Sequence, residues 1–171
     1  MTEVDAMTAT EPSPADIMRG SVAAVNEHNV ADVPYWDDRT VYHAVGLGIY
    51  RGADDVRGYF DMLFAAMPDF RLEVDRMVTD ETNVAMSWNA CGTFDKGRLY
   101  GVAATGQRLT LRGVDMAQLD GPIIVANTIY TDGLSFPRQI GMLPPDGSVT
   151  DRVLKGMFNT LTLLRRRATT R

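Results

Sequence analysis

The sequence predicts an α+β domain: helices packed on one face of a curved antiparallel sheet that forms a half-barrel, with one extra helix at the C-terminus. Three observations carry this. Residues 53–68 repeat their apolar side chains with a helical period. From Phe70 to Thr131 the period changes to two and holds through four long strands. The turns between those strands leave no room for crossover helices, so neighbours pair antiparallel. A sheet of this kind, with helices segregated to one side, cups a pocket between the two layers.

The elements follow in order. Residues 1–12 are acidic and polar and are expected to be a disordered tail. A domain over 13–147 comes next. Ser13 is suited to cap a helix, Pro14 to open it and Asp16 to its first turn, with Met18, Val22 and Val25 on one stripe. "VADVPYW" reads as a short second helix. "TVYHAV", 40–45, is a strand of β-branched and aromatic residues, and Gly46, Gly48 and Gly52 read as turns. In "ADDVRGYFDMLFAAMP", Val56, Tyr59, Phe60, Leu63 and Met67 form the helical stripe that Pro68 ends. The strands are 70–79, 84–94, 108–119 and 123–131, with "DKGRLYGVAATGQ" as a loop. Residues 148–171 read as an amphipathic helix, capped by Ser148 with Asp151, whose stripe is Val149, Val153, Met157, Leu161 and Leu164. This helix serves for packing, as a lid, or as a docking surface.

Composition narrows the function. The chain has 171 residues and a net charge of −5, so it has a core large enough to enclose a small ligand and no general affinity for nucleic acid. "LRRRATTR" reads as a basic helix end that complements the helix dipole. One cysteine, Cys91, and two histidines, His28 and His43, make a Cys/His zinc site unexpected. No glycine pattern suits a nucleotide, and no apolar run suits a membrane helix. With no signal-peptide pattern, a cytoplasmic location is expected.

The chemistry centres on carboxyl groups. Asp132 ends the strand "IVANTIYTDG" beside Gly133 and is either a turn residue or an acid at a pocket mouth. Asp115 lies in an otherwise apolar strand, either paired with Arg108 or Arg112 or turned into the pocket. His43 is a candidate pocket donor. Phe60, Met86, Trp88 and Tyr130 are candidates for an apolar wall that would stack on a flat substrate.

Taken in order, "GADDVRGYFDMLFAAMPDF", "GTFDKGRLYGVAATGQRLTLRGVD" and "DGLSFPRQIGMLP" resemble the SnoaL-like polyketide cyclases, a branch of the nuclear-transport-factor-like α+β barrel superfamily. The P-D-F after the helix, the G-T-x…G-x-x-A-T-G segment and an Asp seven residues before Q-I-G carry the match, over residues 14–145. The resemblance implies a cone-shaped barrel, a homodimer, a deep apolar pocket for a polyketide-like or steroid-like molecule, and no cofactor. It also implies that Asp132, which matches the Asp before the family's Q-L-G, is the general acid/base of an intramolecular aldol condensation. Some of these cyclases add a histidine on the preceding strand. Residues 108–131 contain none, and Asp115 and Gln118 are read as the polar side chains of comparable reach there. The alternative is a non-catalytic ligand-binding or interaction protein of the same fold.

Overall fold

The computed structural model describes residues 11–169, and side chains as far as Arg167. The expected disorder of the N-terminal tail thus lies almost wholly outside the described residues. The chain divides into two compact units, one ending at Thr131 and the other running from Asp132.

In the first unit, helix α1 spans Pro14–Asn26. Its start is fastened as its residues demand: Ser13 Oγ accepts from the Asp16 amide at 3.3 Å, and Asp16 Oδ2 accepts from the Ser13 amide at 3.2 Å. Ile17, Met18 and Val25 face inward, each under 4% exposed. Residues 27–40 form turns, with no helix in "VADVPYW". Pro34 explains this, since it lacks an amide hydrogen and pushes Val33 away from the helical region. Val30, Val33 and Trp36 anchor the segment by burial.

Strand β1 is Val41–Ala44 and β2 is Gly48–Arg51. Of the glycines read as turns, only Gly46 lies in one: Gly48 opens strand β2 and Gly52 opens the helix that follows it. Gly46, at φ +79°, makes the tight turn, and Gly48 pairs with Ala44. Helix α2, Gly52–Ala66, buries Val56, Tyr59, Phe60 and Leu63. Each such side chain contributes about 2 kcal/mol on leaving water.

The remaining strands are β3 (Arg71–Thr79), β4 (Asn83–Phe94), the two-residue pair β5 (Arg98–Leu99) and β6 (Val102–Ala103), β7 (Gln107–Asp120) and β8 (Ile123–Thr131). The loop expected at 95–107 thus carries its own small hairpin. The main sheet has the order β2-β1-β8-β7-β4-β3. All neighbours are antiparallel except β1 and β8, which run parallel. Register breaks at Val74/Arg76 and at Gln118/Leu119 bend the long strands. The sheet is curved and unclosed, an α+β half-barrel as expected.

Its two faces differ. Inward lie Tyr42, Val84, Met86, Trp88, Asp115, Ala117, Asn127 and Ile129, all buried. Outward, one cross-strand row runs Ile49–His43–Thr128–Met116–Ala85–Val78 through all six strands.

The second unit holds a short helix α3, Ser135–Gln139, and the long helix α4, Val149–Thr169. Ser148 Oγ accepts from the Asp151 amide at 3.2 Å, and the Asp151 carboxylate reaches back to the Gly147 amide at 3.1 Å. The cap expected at Ser148 and Asp151 forms, displaced by one residue on its return bond. Val153, Met157, Leu161 and Leu164 are all more than half exposed.

Candidate functional site

The inner face of the first unit concentrates its polar atoms at one place. Tyr42 on β1 is the cross-strand partner of Asn127 on β8, which is in turn the partner of Ala117 on β7. Asp115 is two residues from Ala117 and so shares its face. Across the diagonal of this pairing, Asn127 Nδ2 donates to Asp115 Oδ2 at 2.9 Å. From the other side, Trp88 Nε1 donates to Asp115 Oδ1 at 2.7 Å. The Tyr42 hydroxyl accepts from Trp36 Nε1 at 2.9 Å and also interacts with Ser21 and Asn127. Trp36 is held in turn by a parallel stack on Phe60, with ring centroids 5.5 Å apart.

Asp115 is 8% exposed, and its partners are neutral donors. Burial raises its pKa above the ordinary carboxylate value, and the hydrogen bonds from Asn127 and Trp88 pull against that rise without cancelling it. Tyr42 and Tyr59 are likewise raised, first by burial, with the nearby Asp115 adding to it. These phenols stay protonated, and a carboxyl group among them keeps its proton into a higher pH range than in water. A cavity of about 30 Å³ adjoins the cluster, lined by Met18, Ser21 and Val25 of α1 with Tyr42, Phe60 and Asp115. That is room for a single water molecule.

A second aromatic group lies at the α2–β5 side. Tyr59 hydrogen-bonds Tyr100, and its ring lies 4.7 Å from that of Tyr50. Burial pushes the Tyr100 phenol up to about 12. Among the described residues, no three His, Cys, Asp or Glu side chains converge as metal ligands would.

The residues singled out from the sequence fall into three sets. Phe60, Met86, Trp88 and Asp115 come together on the inner face, with Asp115 turned inward rather than paired to Arg108 or Arg112. His43 and Tyr130 do not join them: both lie on the outer face, and Tyr130 is 51% exposed. The strand period is the reason, because Tyr42 takes the inward place beside His43 and Ile129 takes it beside Tyr130. Asp132 opens the second unit, exposed, where its Oδ1 accepts from the Leu134 amide at 3.0 Å in a turn. Gln118, read as a polar side chain of reach comparable to the histidine of related cyclases, is exposed. Tyr42 and Asn127 were missed, although the period marks both: Tyr42 is in phase with Ala44, and Asn127 with Ile129.

A family model described as SnoaL-like polyketide cyclase matches residues 15–140, well over half of the chain. The chain belongs to the SnoaL-like polyketide cyclase family. Solved structures agree on the fold of this family member. AclR from Streptomyces galilaeus, provisionally described as a hydroxylase, is 23% identical with a TM-score of 0.65, over 89% of this chain and 94% of its own. TsrD from Streptomyces laurentii is 19% identical with a TM-score of 0.67, over 75% and 95%. A SnoaL-like polyketide cyclase from Agrobacterium tumefaciens str. C58 is 19% identical with a TM-score of 0.64, over 75% and 98%. No curated protein matches the sequence. Membership of the SnoaL-like polyketide cyclase family supports a cyclase- or isomerase-type function. No helix among the described residues is long and apolar enough to cross a membrane.

Proposed function

We propose that this chain is a cofactor-free acid/base enzyme acting on a small apolar carbonyl compound, and that it closes a polyketide-like substrate by intramolecular aldol condensation. The observation that carries this reading is the buried Asp115 carboxyl, bonded only by neutral donors on the inner face of the sheet. An aldol closure removes a proton from a carbon beside a carbonyl, forms the carbon–carbon bond, and delivers a proton to the accepting carbonyl oxygen. A conjugated polyketone stabilises its own enolate. An Asp115 carboxylate that takes the proton from the carbon and returns it to the accepting carbonyl oxygen balances both steps, and burial, by raising its pKa, strengthens it as a base, a contribution on the order of 10²–10⁴-fold. The Tyr42 hydroxyl beside it is a second donor for a substrate oxygen.

The cavity of about 30 Å³ beside Asp115 is far smaller than a fused-ring substrate. On this reading the α1 side of the cavity, Met18, Ser21 and Val25, withdraws to admit substrate. Asp132 keeps the role that its place seven residues before Gln139-Ile140-Gly141 gives it in the family pattern, as the second carboxyl to test. The enzyme acts as a homodimer, a reading supported by the exposed Ile49, Met116 and Val78 in the outer row of the sheet.

The test compares Asp115→Asn and Asp132→Asn for turnover of a conjugated polyketone, with product mass measured. Loss of activity in a folded Asp115→Asn variant is expected. Full activity there with loss in Asp132→Asn moves the acid role to Asp132, and full activity in both ends the aldol reading. Product mass separates reactions: aldol closure keeps the composition or loses water, whereas hydroxylation adds an oxygen atom. A second reading, a ligand-binding protein without turnover, is favoured by the two hydrogen bonds that already occupy both Asp115 oxygens. Tight binding of an apolar ketone with no product formed would establish it.

A further inference from the structure

Trp88 on β4 and Gly113 on β7 are cross-strand partners. The indole lies across β7 at that point. A Cβ built on Gly113 would overlap Trp88 Cζ2 and lie 2.7 Å from Cη2 and 2.6 Å from the Tyr130 carbonyl oxygen. Residue 115 is the next position on the same face of β7. An indole that crosses above position 113 is therefore aimed at position 115, and Nε1 meets Asp115 Oδ1 at 2.7 Å. Any side chain at position 113 would stand where the ring lies.

We propose that Gly113 is a positioning residue for the acid: its bare Cα lets Trp88 lie across β7 and hold one carboxyl oxygen of Asp115 while Asn127 holds the other. This rests on the acid role given to Asp115, but it assigns Gly113 and Trp88 a task of their own. The pair sets the direction of the carboxyl plane and supplies one of its two donors. Both donors favour the charged form over the protonated one, so losing the indole bond moves the titration of Asp115 upward. The titratable groups facing Asp115 are Tyr42 from β1 and Tyr59 from α2, both raised and neutral. The α1 residues lining the cavity beside Asp115 are Met18, Ser21, Val22 and Val25, none of which titrates.

The experiment follows the Asp115 carboxyl by ¹³C NMR titration in the wild type, Trp88→Phe, Gly113→Ala and the double variant, alongside the pH profile of kcat. Trp88→Phe keeps the ring bulk and removes the donor, so an upward shift of the midpoint is expected, with kcat lowered and KM kept. Gly113→Ala should shift it the same way, and the double variant should shift no further than Trp88→Phe alone. A folded Gly113→Ala variant that titrates like the wild type, or shifts that add in the double variant, overturns the proposal. Where Gly113→Ala does not fold, Gly113→Ala with Trp88→Leu decides: recovery of folding supports it. Failure of both overturns it, because the close approach of the Tyr130 carbonyl then suffices to require the glycine. The titration needs no turnover. An active Asp115→Asn enzyme would therefore remove the acid role while leaving the Gly113–Trp88 relation to stand or fall by itself.

Discussion

Asn127 joins the two inward-facing polar groups of the sheet: its Nδ2 donates to Asp115 Oδ2 at 2.9 Å, and the same side chain interacts with the Tyr42 hydroxyl. The residue is 1% exposed, and its Oδ1 has no hydrogen-bond partner among the described residues. A buried amide with an idle acceptor is costly, so the donation to Asp115 must offset that cost. Asn127→Ala removes a donor from a buried carboxyl and opens a small cavity. It is expected to lower stability by about 1–3 kcal/mol in urea unfolding. It should also move the Asp115 titration further up. An unchanged unfolding midpoint would mean that the amide contributes nothing to the cluster.

The raised pKa of Asp115 makes stability depend on pH with a definite sign. Its carboxyl binds a proton more tightly folded than unfolded, chiefly through burial. Its contribution is therefore fully present below the unfolded pKa, near 3.8, and is lost as pH rises through the folded value. Asp115→Asn cannot ionise, so its stability should fall less than that of the wild type between acid and neutral pH. Urea unfolding at several pH values measures the difference. Parallel curves for the two proteins would show that Asp115 titrates alike in both states.

The cap of α1 gives a prediction independent of the chemistry. Ser13 Oγ takes the Asp16 amide hydrogen, and Asp16 returns the bond to Ser13. Ser13→Ala should cost about 1 kcal/mol, read as a lowered urea midpoint with an unchanged slope. Ser13 is exposed, so packing does not confuse the measurement.

Much of this arrangement could be read from residue spacing. The Ser13–Asp16 cap, the α2 stripe from Val56 to Met67, and the inward set Met86, Trp88 and Asp115 all follow from local chemistry or from a period of three to four or two. What resisted reading was which of two adjacent polar or aromatic residues faces inward. Histidine chemistry draws the eye to His43, yet the period that buries Ala44 buries Tyr42 instead. Asn127 is invisible to a search for acids and bases, because an amide does not titrate and its partner Asp115 lies 12 residues away in the chain. Strand β2 was hidden by Gly46 and Gly48, since its pairing with β1 is a backbone matter that side-chain type does not report. Asp132 shows the opposite limit. The dipeptide Asp132-Gly133 signals a turn, the family pattern signals an acid, and the carboxylate bonded to the Leu134 amide satisfies the first without testing the second.

The outer face of the sheet supplies the last prediction. Met116 sits mid-row between Thr128 and Ala85, 49% exposed, with Ile49 and Val78 at the ends of the row 52% and 64% exposed. A row that crosses every strand, with Ile49, Met116, Ala85 and Val78 apolar and only His43 and Thr128 polar, offers the proposed second copy of the chain a surface matching its own, which is what a two-fold interface requires. A charge in the middle of the row would be buried without a partner on pairing. If the proposed homodimer pairs through this face, Met116→Glu halves the mass measured by light scattering. Because the side chain points outward in the single chain, the variant's own stability should change by no more than about 0.5 kcal/mol. The Asp115 titration should also stay where it was, since position 116 faces away from the cluster. A Met116→Glu protein with the mass of the wild type would rule out this face as the site of pairing.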